Sequence, residues 1–129
     1  MILALKTDQP EAELYLLSGN ETIASYSWYA HRQLSNTILE KIEMLLKDNK
    51  QKLTSLRGIV VYQGPGSFTG LRIGVTTANT LAYSLKIPIT GAVSQSWKKN
   101  GLQSLDATKE FQYVLPLYGS EPTITKPRK

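Results

Sequence analysis

GIVVYQGPGSFTGLRIGVTTANTLA, residues 58–82, runs from an apolar strand through a glycine-rich turn into a helix, and that order decides the architecture. Gly58–Tyr62 is almost wholly apolar, as expected of a strand inside a sheet covered on both faces. The turn GPGSFTGLRIG, Gly64–Gly74, holds four glycines and one proline. Gly64 and Gly66 bracket Pro65, which lets the chain turn tightly and approach another segment closely. Ser67 is placed to cap the next helix, and Thr69 competes for that role. Phe68 beside them is either buried or an anchor at an interface. Leu71, Val75, Ala78, Leu81, Ala82 and Leu85 recur at helical spacing, and Pro88 stops the run. Gly70 falls in the first turn of that helix. Gly74 lies further in, where glycine costs about 1 kcal/mol relative to alanine. Both therefore predict a strand, helix or partner pressed against this face.

Upstream, ILAL (Ile2–Leu5), ELYLLS (Glu13–Ser18) and TIASYSW (Thr22–Trp28) read as three short strands in an antiparallel meander. The last two are joined by a polar turn at Gly19-Asn20-Glu21. A helix follows, with Ser35 or Asn36 as its cap and Ile38, Leu39, Ile42, Leu45 and Leu46 at helical spacing. On its polar face Glu43 and Lys47 stand four apart, a favourable pairing. Downstream, IPITGAV reads as another central strand, and Ser94 opens a shorter helical segment toward Leu105. Phe111–Tyr118 contains Pro116, which confines it to an edge or places it partly outside the sheet. The expected fold is α/β: a mixed sheet of about five strands, the first three antiparallel, flanked by helices. A doubly wound nucleotide fold would alternate strand and helix from its first strand, and this chain does not.

At 129 residues the chain is expected to form one domain with a single core. It has no cysteine, so thiol chemistry, disulfides and zinc–thiolate sites are excluded, in keeping with a reducing cytoplasm. No apolar run approaches the length of a membrane span. The net charge of +5 is partly terminal, in TKPRK and at Lys98-Lys99, which permits nucleic-acid contact without concentrating it in a stripe.

The chemistry-bearing residues are sparse. A Walker loop needs lysine followed by serine or threonine after its glycines, whereas here Gly70-Leu71-Arg72 follows. Arg72 opposes the helix dipole in the first turn, which points to an anionic or carboxylate partner or to packing of its stem. His31 is the only histidine and has no second ligand near it in sequence. Asp8 and Asp106 lack the spacing of paired carboxylates, and G-P-G-S-F is not a nucleophile elbow. The expectation is a protein without catalytic residues, metal site or cofactor.

Residues 64–82, GPGSFTGLRIGVTTANTLA, closely resemble the signature of the bacterial TsaB (YeaZ) family of threonylcarbamoyladenosine biosynthesis proteins. MILALKTD is similar to that family's opening strand, the run from His31 into the Ile38-Leu39 helix to its helix entry, and IPITGAVS to the strand after the signature helix. PLYGSEPTITKPRK is more loosely similar to the family's closing segment. The resemblance implies an actin-like, ribonuclease-H-like (ASKHA) lobe over residues 1–105, with 106–129 a reduced strand and basic tail in place of a second lobe. It implies a cytoplasmic, non-catalytic scaffold that binds a TsaD-like catalytic subunit. With a TsaE-like ATPase in the wider complex, the threonylcarbamoyl group is attached to adenosine 37 of tRNAs reading codons that begin with A. The partner-facing surface would be built by the helices Asn36–Asn49 and Thr69–Leu85, with Leu71, Arg72, Val75, Thr76, Asn79 and Ile42 lining or flanking it. Where the family opens with an aspartate after its first strand, this chain has Lys6-Thr7-Asp8. Lys6 removes a carboxylate that a phosphate-and-magnesium site would use, with Asp8 a weak shifted substitute. Three alternatives stand beside the scaffold: a self-associating degenerate paralogue, a small ATP-binding enzyme, and a peptidase. A homodimer, and tRNA contact either indirect or through Lys126–Lys129, complete the expectations.

Overall fold

The structure, a computed structural model, describes residues 1–66, 68–107 and 114–115. Five strands form one sheet: β1 (Ile2–Lys6), β2 (Glu11–Ser18), β3 (Glu21–Tyr29), β4 (Gly58–Tyr62) and β5 (Ile89–Ala92), in the spatial order β3-β2-β1-β4-β5. β1, β2 and β3 pair antiparallel, whereas β4 runs parallel to both β1 and β5. This is the α/β lobe with an antiparallel meander on one side and crossovers on the other that the strand order requires.

The hairpin between β2 and β3 turns at Gly19, whose φ of 61° suits glycine. Along β3, Ala24, Tyr26 and Trp28 pack toward the core while Ser25 and Ser27 face water, the expected alternation. A single 3₁₀ turn, His31–Gln33, then leads directly into α1 (Leu34–Asp48). Ser35 and Asn36 therefore lie inside the helix and do not cap it. Gln33 is the cap residue and makes no side-chain cap bond. The start is drawn earlier because Leu34 is buried, and because the Trp28 indole donates to Thr37 Oγ1 at 3.1 Å, tying the first turn to β3. Glu43 and Lys47 are exposed, and no ion pair joins them among the described residues.

α2 (Phe68–Leu85) packs beside α1 on one face of the sheet. Leu3, Leu5, Leu14, Leu16, Ile59 and Val61 from the strands meet Ile38, Ile42, Leu46, Val75, Ala78 and Ala82 from these helices in one buried cluster. α3 (Trp97–Ala107) covers the other face above β4 and β5. It sits close: a Cβ at Gly101 would overlap Val60, and one at Gly58 would crowd Leu105 and Ile2. The buried Thr90 hydroxyl donates to the Gly101 carbonyl at 3.0 Å. Trp97 stands edge-on to both Tyr15 and Tyr62, each at 6.0 Å, and Lys98 Nζ lies 3.7 Å over the Tyr15 ring.

Among the described residues β5 is an edge strand of the five-stranded sheet, not an interior one as its sequence suggests. Its apolar character comes from helices on both faces, since α2 and α3 each contact it. The strand anticipated at residues 111–118 lies outside the described residues except for Val114 and Leu115, which are not in a strand; the boundary expected at 105/106 falls within α3, and most of the segment 106–129 expected beyond it lies outside the described residues. No helix of the described residues is long and apolar enough to cross a membrane.

Candidate functional site: the glycine-rich turn and the outer helix face

β1 runs out at Lys6, and Thr7 and Asp8, both buried, continue onto the start of α2. Thr7 Oγ1 donates to the Gly70 carbonyl at 2.7 Å. A Cβ at Gly70 would collide with the Thr7 carbonyl oxygen, and one at Gly74 with the Thr7 hydroxyl; at Gly66 it would crowd Asp8. The segment that needs these glycines bare is therefore Thr7-Asp8, where the chain leaves its own first strand. Gly64 has φ 120°, open to glycine but not to other residues, and the Gly64–Pro65 bond is cis. Tyr62 holds the turn from below, its hydroxyl donating to the Pro65 carbonyl at 3.1 Å. Ser67 and the side chains of Phe68 and His31 lie outside the described residues. Thr69 is inside the helix, so it does not serve as the cap.

Beside this turn Lys6 and Asp8 meet. Lys6 Nζ pairs with Asp8 Oδ1 at 2.6 Å and lies 4.8 Å from the Tyr62 ring centroid, while Gln9 Nε2 donates to Asp8 Oδ2 at 3.3 Å. Asp8 thus has its charge matched within the chain, at the wall of a cleft of about 480 Å³ that Thr7, Gln9, Leu34, Thr69 and Gly70 also line. Among the described residues no group of three or more His, Asp or Glu is gathered in a way that would hold a metal ion. On the neighbouring strand β2, burial chiefly, and then the hydrogen bond to Glu13, push the Tyr15 hydroxyl above its ordinary pKa.

The residues expected at a partner surface differ in burial. Leu71 and Ile42 are fully buried and Val75 nearly so. Each fills the core of the lobe, so no partner reaches its side chain in this fold. The reason is geometric: the apolar stripe that identifies each helix in the sequence is the stripe turned to the sheet. Arg72 and Thr76 are exposed on α2, and Thr80 and Tyr83 continue their strip, with Thr80 Oγ1 donating to the Thr76 carbonyl at 2.9 Å. On α1, Leu39, Glu40 and Glu43 face outward, Leu39 at 51% exposure, and on α2 Tyr83 is 64% exposed. Asn79 is half-buried, and its amide is held by Val114. Thr7 was not among the anticipated residues, although Gly70 and Gly74 signalled that something had to fit against them. Lys126–Lys129 lies outside the described residues.

A family model described as TsaD, tRNA N6-adenosine threonylcarbamoyltransferase, matches residues 28–97. The Bacillus subtilis (strain 168) tRNA threonylcarbamoyladenosine biosynthesis protein TsaB is 42% identical over 93 residues, 72% of this chain and 41% of that protein. The protein of the same name from Escherichia coli (strain K12) is 31% identical over 116 residues, 82% of this chain and 50% of its own length. The solved structure of YeaZ from Pseudomonas aeruginosa superposes with a TM-score of 0.67 at 24% identity, covering 78% of this chain and 49% of that one. The chain spans about half the length of these relatives. With the TsaD model matching more than half of the chain and TsaB proteins 42% and 31% identical over 72% and 82% of it, this chain belongs to the TsaB (YeaZ) family, within the group that the TsaD model describes.

Proposed function

We propose that this chain takes part in threonylcarbamoyladenosine biosynthesis on tRNA as a non-catalytic scaffold that binds a TsaD-like catalytic subunit. The observation that carries the reading is the likeness to biosynthesis proteins named TsaB. The outer surface of α1 and α2 supports it, since Leu39, Arg72, Thr76 and Tyr83 are turned away from the core on adjacent helices. A scaffold of this kind acts by holding the catalytic subunit in a productive arrangement, with a TsaE-like ATPase in the wider cytoplasmic assembly. The Lys6–Asp8 ion pair supports the non-catalytic part, because it matches the carboxylate's charge inside the chain where a nucleotide–metal site would need it open.

Isothermal titration of this protein into the TsaD-like subunit of its own organism tests the reading. Saturable one-to-one binding is expected. A folded sample that gives no heat of binding, and that stays without effect on threonylcarbamoyl transfer to tRNA, overturns it.

A further inference from the structure

Val114 is 8% exposed and belongs to the apolar cluster that also holds Val75, Ala78, Ala82 and Ile89. A single side chain grips both polar atoms of its main chain. Asn79 Nδ2 donates to the Val114 carbonyl at 2.8 Å, and the Val114 amide donates to Asn79 Oδ1 at 2.9 Å. The following carbonyl, of Leu115, accepts a hydrogen bond from Gln63 Nε2 at 2.9 Å, while the Leu115 side chain is 72% exposed. Both gripping amides are themselves positioned. Asn79 is half-buried on α2. The Gln63 backbone is bonded to the Ala92 carbonyl at 2.8 Å, and its side chain lies across Gly91, where a Cβ would overlap it. Gly91 is thus the residue that lets Gln63 reach over β5.

An amide side chain that pairs with both the N–H and the C=O of one residue satisfies that residue as a neighbouring strand would. It reads main-chain atoms, which every segment other than proline presents, and leaves selection to the pocket for one side chain. We propose that Asn79, Gln63 and the apolar residues of α2 and β5 form a binding site for a peptide main chain carrying one branched apolar residue. The chain's own Val114–Leu115 occupies it as a tethered, displaceable ligand. Among the described residues, three hydrogen bonds and the buried Val114 side chain hold the occupant, while the Leu115 side chain is exposed. Exchange with a free peptide therefore requires only that the tethered competitor be removed, since a tether gives it an effective concentration on the order of millimolar. The site depends on no other subunit, so its test is separate from that of the scaffold reading.

The test uses the full chain and a fluorescein-labelled peptide, FQYVLPLY, the sequence of residues 111–118. Val114→Asp replaces the apolar anchor with a charge and vacates the site. Anisotropy titrations are expected to show saturable binding to Val114→Asp at least roughly tenfold tighter than to the unaltered chain. Adding Asn79→Ala to that variant removes the gain. Equal binding to both chains, binding that survives Asn79→Ala, or no binding to folded Val114→Asp overturns the proposal. If far-UV circular dichroism shows that Val114→Asp does not fold, hydrogen exchange at the Val114 amide decides. Asn79→Leu should speed that exchange at least roughly tenfold while the amides of β1 and β4 keep their protection. An unchanged Val114 rate overturns the proposal.

Discussion

Gly74 stands in the interior of α2, and a Cβ there would run into the buried hydroxyl of Thr7. Two effects of alanine oppose each other at this position. Helix propensity favours alanine by about 1 kcal/mol, whereas forcing a carbon into a packed core costs about 1–3 kcal/mol. Thr7 is stiff at χ1 and its hydroxyl is committed to the Gly70 carbonyl, so the steric effect wins. Gly74→Ala should lower stability by roughly 1–2 kcal/mol in urea unfolding, and Thr7→Ala in the same chain should recover part of the loss. Gly70→Ala differs, because its obstacle is the Thr7 carbonyl oxygen, which no side-chain change removes. A Gly70→Ala loss that Thr7→Ala rescued as fully as it rescues Gly74→Ala would contradict the placement of β1 over α2. Tyr15 offers a second check at this scale. Its hydroxyl pKa is raised in the folded chain, by burial first and by Glu13 second, above the ordinary value of about 10 in the unfolded chain. The unfolded chain therefore loses that proton first on going alkaline. The stabilising contribution is whole below about pH 10 and is lost as pH rises from there toward the folded value. Relative to Tyr15→Phe, the unaltered chain should lose stability progressively above about pH 10, measured as the difference in urea midpoints. A difference independent of pH would mean the hydroxyl is not buried as described.

Helix ends carry a separate prediction. Lys50 and Lys86 follow α1 and α2 with φ of 58°, the left-handed region. Around each, the next amide reaches back to the helix: Gln51 to Leu46 at 2.8 Å and Ile87 to Ala82 at 3.0 Å. These are Schellman closures made without the glycine that usually occupies the position. A lysine there bears roughly 1–2 kcal/mol of steric penalty, partly offset by glycine's greater entropy when unfolded. Lys86→Gly and Lys50→Gly should each stabilise the chain by about 0.5–1 kcal/mol, seen as a higher thermal midpoint; an unchanged or lower midpoint would count against the closure. The same ends show what the sequence makes legible at the scale of elements. Pro88 announced the end of α2, and Gly58–Tyr62 announced β4, because proline geometry and a wholly apolar run act locally. The start of α1 was not legible from Ser35 or Asn36, since the burial of Leu34 and the bond from Trp28 to Thr37 set it, and both are tertiary. β5 read as central because apolar composition reports burial on two faces, and helices bury a strand as well as neighbouring strands do.

At the scale of the molecule the glycine-rich run identified both the lobe and its family, yet the side chains available to a partner were only half legible. Periodicity finds the stripe of Leu71 and Val75, and the physics that makes the stripe visible also buries it. Which of the remaining faces stays open depends on where α1 lies against α2, and that is decided by packing between segments distant in sequence. The distinction between stripe and strip can be put to measurement. Leu39→Asp and Arg72→Glu change exposed positions on adjacent helices, where substitutions usually alter stability by less than about 0.5 kcal/mol. If this surface meets a TsaD-like subunit, each should weaken that complex by about 2 kcal/mol or more, roughly thirtyfold in Kd. Leu71→Ala is the opposite case. It opens a cavity under α2 and should destabilise the chain by about 2–5 kcal/mol, while the part of the population that remains folded binds as before. Calorimetry on each variant, corrected for its folded fraction from urea unfolding, separates the two behaviours. If Leu71→Ala weakened intrinsic binding while Leu39→Asp and Arg72→Glu left it alone, the partner would have to enter the lobe from another side, and the outer face of α1 and α2 would be plain surface.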